Sequence, residues 1–80
     1  MTPEQTIALN LVKRFPWSTA LSLWTQLLQA TENPFDMKVI KAGFPEQDQS
    51  LRQELARLEN TGAIKSRIMA GSILREWALS

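Results

Sequence analysis

Cysteine and histidine are both missing from this 80-residue sequence. Without cysteine there are no disulfides, thiolate metal sites or cysteine nucleophiles, and a reducing compartment, the cytoplasm, is the default expectation. Without histidine the commonest general base and the commonest transition-metal ligand are gone. No run of about 18 apolar residues occurs, so no membrane partner is expected. The opening Met1-Thr2-Pro3-Glu4-Gln5 lacks the basic start of a signal peptide. The three glycines are scattered singly and build no phosphate-cradling loop. Charge imbalance is missing too: nine basic and eight acidic residues give +1. Residues 1–44 carry four basic and three acidic groups, and residues 45–80 carry five of each. A polyanion would have to be held by a local patch. Glu46 and Asp48, or Glu54 and Glu59, do not face each other on a helix as an acid–base pair. The expectation is a protein that is not an enzyme, with no metal and no cofactor.

Hydrophobic residues make up 44% of the chain and charged ones 21%, which suits a folded domain better than a disordered one. A chain this short buries only roughly 60% of the surface its unfolded form exposes, so residues 1–80 form one domain with a thin core. Thr2-Pro3-Glu4 predicts a helix from about 3 to 15, with Ala8, Leu11, Val12 and Phe15 on one face. Ser18 is placed to cap a second helix over about 18–31, with Ala20, Leu23, Trp24 and Leu27 inward. Asn33-Pro34 opens a third helix over about 34–42, with Gly43 available for a left-handed closure. A fourth helix ends at Asn60 or Thr61, before Gly62. Its start has two readings: Pro45 with Glu46 and Asp48, or a capping box of Ser50 and Gln53. Leu51, Leu55 and Leu58 are its buried stripe.

After Gly62 the period changes to two. Residues 63–70 and 73–79 alternate as strands, and Gly71-Ser72 suits a two-residue turn. That turn sets Ala70 opposite Ile73, Ile68 opposite Arg75, Arg67 opposite Glu76 and Ile64 opposite Leu79. It also gathers Ile64, Ile68, Ile73, Trp77 and Leu79 on one face. The competing reading is a short C-terminal helix capped by Ser72; the hairpin is preferred because the first strand would otherwise lack a partner. The fold class is mainly α with a C-terminal β-hairpin, α+β.

The run Leu55-Ala56-Arg57-Leu58-Glu59-Asn60-Thr61-Gly62-Ala63-Ile64 resembles the Leu-x-x-Leu-Glu-x-x-Gly-x-Ile ending of the recognition helix in winged helix-turn-helix domains. The resemblance covers about residues 34–80. It makes the hairpin a wing with Gly71-Ser72 at its tip, Trp77-Ala78-Leu79 the close of its second strand, and helix 34–42 the first half of the helix-turn-helix. The turn from Gly43 to Ser50 is about two residues longer than the family's, and Glu46 and Asp48 sit where such a helix approaches phosphate.

With the leucines inward, 100° steps place Gln49, Gln53, Ala56, Arg57 and Asn60 outward. Gln and Asn pair bidentately with adenine and Arg with guanine, so Gln49, Gln53, Arg57 and Asn60 are the candidate base readers. The plainer reading is a solvated face of good helix formers. Arg52, Lys65, Arg67 and Arg75 are the candidate phosphate contacts; alternatively Arg67 pairs with Glu76, and Lys65 keeps a sheet edge soluble. Lys13 and Arg14 suit the end of a helix dipole. Trp17, Trp24 and Trp77 read as core anchors. Phe15 to Thr31 holds no charged residue, so the face of Ser22, Thr25, Gln26 and Gln29 is either an ordinary polar back or a homodimer interface. The resemblance implies a regulator that binds double-stranded DNA, acting as a dimer. The alternatives are a protein-interaction module or inhibitor on the same scaffold, or a subunit of a larger nucleoprotein assembly.

Overall fold

The computed structural model describes residues 1–44 and 47–80, with the backbone alone at 47 and 48. The start signals at Pro45, Glu46 and the Asp48 side chain lie outside the described residues. Seven elements follow in order: α1 (Pro3–Arg14), β1 (Ser18–Thr19), α2 (Ala20–Ala30), α3 (Pro34–Gly43), α4 (Gln47–Thr61), β2 (Ile64–Ile68) and β3 (Arg75–Leu79). The class is α+β, but the sheet has three antiparallel strands in the order β1-β3-β2.

Caps fix most helix ends. Thr2 and Gln5 form a reciprocal capping box at α1, and Asn33 Oδ1 accepts the Phe35 N–H at 2.9 Å at α3. The cap of α2 is Thr19, whose hydroxyl accepts the Ser22 N–H at 3.2 Å, and not Ser18. Ser18 is taken by the sheet, where it pairs with Trp77 while Thr19 pairs with Glu76. Ser50 does not cap α4 either, because the helix has already begun at Gln47. At the other end of α4, Gly62 at φ +85° donates to Glu59 O at 3.0 Å and Ala63 donates to Leu58 O at 3.1 Å. This is the left-handed closure that glycine makes without strain. Gly43 is different: it stays helical, and Phe44 caps α3.

The hairpin has the predicted register, Ile64↔Leu79, Arg67↔Glu76 and Ile68↔Arg75. Its turn does not. The Ser72 N–H donates to Met69 O at 3.0 Å with Gly71 at φ +81°, so glycine is the third residue of a Met69–Ser72 turn. The Ser72 hydroxyl then accepts the Leu74 N–H at 3.0 Å, and the ladder ends at Ile68–Arg75 without reaching Ala70 and Ile73. Of the five side chains expected on one buried face only Ile64 and Trp77 are buried; Ile68, Ile73 and Leu79 are exposed.

The core runs through Ala8, Leu11 and Val12 of α1, Leu23 and Leu27 of α2, Ile40, Phe44, and Leu51, Leu55 and Leu58 of α4, down to Ile64 and Trp77 of the sheet. Trp24 meets Phe44 edge-on at 6.0 Å. α4 packs on α1 and α2, while α3 packs on α1. α3 is thus not among the main neighbours of α4, unlike the first-half role the resemblance gave it. Full burial of seven large side chains, six from α1, α2, α4 and the sheet and the seventh Phe44 at the end of α3, concentrates the burial energy around α4.

Candidate nucleic-acid interface

The leucine stripe decides which side of α4 faces water. With Leu51, Leu55 and Leu58 buried, Gln49, Arg52, Gln53, Ala56, Arg57 and Asn60 are all exposed. The structure brings the four base-reading candidates onto one exposed surface of α4, and Glu4 and Glu54 line the same shallow pocket as Gln53 and Arg57. Glu54 turns inward at 4% exposure, and Glu59 turns toward the hairpin.

Glu54 was not picked out as a site residue from the sequence. Its Oε1 accepts from Arg57 Nη1, and its Oε2 is buried without a hydrogen-bond partner. The Arg57 side chain is still 61% exposed. An inward carboxylate three residues upstream thus fixes one edge of the guanidinium and leaves another facing outward. The i, i+3 spacing was the available signal.

Glu59 ties α4 to the sheet. Its Oε2 accepts the Ser66 hydroxyl at 2.8 Å and lies 3.9 Å from Arg75 Nη1, which also donates to Ser66 at 2.8 Å. Arg67 donates from Nε to Glu76 at 3.2 Å, the predicted cross-strand pair. Arg67 also lies with its guanidinium carbon 3.9 Å above the centroid of the Trp17 ring, and Lys65 Nζ approaches the same ring at 5.6 Å.

Trp17 is therefore no core anchor. It sits half-buried at φ +58°, its N–H donating to Trp77 O at 2.6 Å, and carries two hairpin cations on its ring. Aromatic and basic residues that are far apart in sequence interleave in space, because β1 pairs beside β3 and brings Trp17 to the hairpin. Trp77 and Trp24 do pack in or against the core.

Arg52 and Arg75 share a cleft of about 350 Å³ with Leu21, Ile73, Leu74 and Trp77. All four candidate phosphate contacts are exposed, on α4 or the adjoining hairpin. On α2, Ser22, Thr25 and Gln29 are exposed and Gln26 is half-buried. No group of three or more acidic residues that could hold a metal occurs among the described residues, and no helix among them is long and apolar enough to cross a membrane. Compared with protein-family models, with curated proteins and with solved structures, the chain gives no match.

Proposed function

We propose that this chain is a winged-helix domain that binds double-stranded DNA, with α4 in the major groove and the β2–β3 hairpin as its wing. The observation that carries the reading is the polar outer face of α4, where Gln49, Gln53, Arg57 and Asn60 are exposed together. The element order supports it: a short strand after the first helix closes the sheet on the hairpin, and the hairpin is anchored to the flank of α4. In this reading α2 supports the recognition helix, α3 is an insertion, and Arg52, Lys65, Arg67 and Arg75 hold backbone phosphates. The biological role is that of a small regulator working as a two-fold pair.

Single variants on selected and scrambled duplexes test the reading. Arg57→Ala costs about 1–3 kcal/mol on the preferred site and flattens discrimination at one position. Lys65→Ala weakens all duplexes alike. Because Arg57→Ala also strands a buried carboxylate, Arg57→Ala with Glu54→Gln is measured alongside to separate binding from folding. Equal, sequence-blind losses from both variants overturn base reading by α4.

A protein-binding module is favoured by one observation: Phe35 and Val39, a turn apart on α3, are 74% and 59% exposed. Under that reading Phe35→Ser abolishes partner capture, and Arg57→Ala changes nothing on DNA.

A further inference from the structure

The hairpin ends in an unusual tip. From Ile68 to Leu74 no residue is charged, and Arg67 and Arg75 stand immediately on either side. Ile73 is 95% exposed and Leu74 56%. Ser72 is the tip's one polar side chain, and its oxygen is occupied by the Leu74 N–H. A tip of this kind has almost nothing with which to read base edges by hydrogen bonding.

Its position matters as much as its chemistry. Ile73 and Leu74 line the same cleft as Arg52 of α4, and Arg75 closes that cleft beside them. Arg52 lies on the flank of α4 next to the exposed reading face. Any backbone strand passing between α4 and the hairpin tip would therefore run between two guanidiniums. Beyond a strand that borders the major groove lies the minor groove, about 6 Å wide, which admits aliphatic side chains and offers no useful code to them.

We propose that the hairpin tip is an apolar wedge: Ile73 and Leu74 enter the minor groove and partly unstack a base step, while Arg52 and Arg75 clamp the intervening phosphates. The proposal rests on the DNA reading above and names what the wing does there. Aliphatic wedges of this type kink duplexes, and flexible TA steps yield most readily. Arg67 is engaged by Glu76 and Trp17, so the positive charge beside the tip is that of Arg52 and Arg75, which line the cleft with Ile73 and Leu74 and favour a duplex over a neutral apolar protein surface.

The test uses duplexes with 2-aminopurine replacing the adenine of TA steps and dyes at the two ends. The full chain should raise 2-aminopurine emission on binding and shorten the end-to-end distance by an amount matching a kink of about 20–90°. Ile73→Ser with Leu74→Ser removes two exposed side chains, so circular dichroism should match the wild type. That double variant should still bind, with emission at the free-duplex level and the duplex straight. Arg57→Ala should keep the kink on whatever duplex it binds. Wild-type binding with unchanged emission and a straight duplex overturns the wedge and leaves the DNA reading standing. No binding to any duplex at low salt overturns both. Binding to phosphatidylserine vesicles that the double variant abolishes, with duplex emission unchanged, assigns the tip to a lipid surface and also overturns the proposal.

Discussion

Gly43 and Gly62 both sit at the close of a helix, and the backbone uses them in opposite ways. Gly62 lies at φ +85° with open space where a Cβ would be, so the penalty of a side chain there is purely conformational. Gly62→Ala should cost about 1–2 kcal/mol in denaturant titration. Gly43 is helical and buried, and a Cβ there would stand 3.4 Å from Ile7 Cδ1 and 3.5 Å from Glu4 Cγ, at ordinary contact distance. Gly43→Ala should therefore be neutral or stabilise by about 0.4–1 kcal/mol, since it narrows the unfolded ensemble. Equal losses at both positions would mean that Gly43, too, needs a left-handed backbone.

At the scale of elements, the hairpin is held from two sides: Glu59 of α4 grips Ser66 and Arg75, and Trp17 lies against Arg67 and Lys65. Each cation–ring contact is worth about 0.5–1 kcal/mol at an exposed site. Trp17→Ala should thus speed amide exchange in β2 and β3 more than in α1 or α4, and weaken DNA binding without altering sequence preference. Uniform acceleration across all elements would instead assign Trp17 a role in the whole core. The hairpin register was legible in the sequence because period-two alternation on both sides of a glycine leaves few ways to pair Arg67 with Glu76. The leucine stripe of α4 was legible for the same kind of reason, and it settled which side chains face outward. β1 was not legible: two residues have no period, and Ser18-Thr19 also reads as a cap followed by a helix. With β1 hidden, the meeting of Trp17 with the hairpin cations was hidden too, since it depends on β1 lying beside β3. The inward turn of Glu54 belongs to packing between helices, which no single-helix projection contains.

For the whole molecule, a net charge of +1 leaves little long-range attraction to a polyanion, so on the DNA reading binding must come from the few cations at the proposed interface. If Arg52, Lys65, Arg67 and Arg75 each neutralise one phosphate, log K should fall against log salt with a slope of about −3.6 for one copy and twice that for a two-fold pair. Ser22→Glu with Gln26→Lys puts a favourable i, i+4 pair on α2 and places two charges that a facing copy would have to desolvate. Sedimentation should show the wild type as a dimer and this variant as a monomer with half the slope. A wild type that stays monomeric at high concentration excludes the α2 face as a homodimer contact. The strand order carries a further consequence. β3 is the middle strand, and β1 and β2 bond to it and not to each other. It is also the last of the three to leave the ribosome. Until it emerges, β1 and β2 wait without a neighbour, Trp17 lacks its carbonyl acceptor and the lower core lacks Trp77. Neither β1 nor β2 has another strand to bond, so the sheet closes only once β3 is in place, and one strand then joins the hairpin, the Trp17 side and the core.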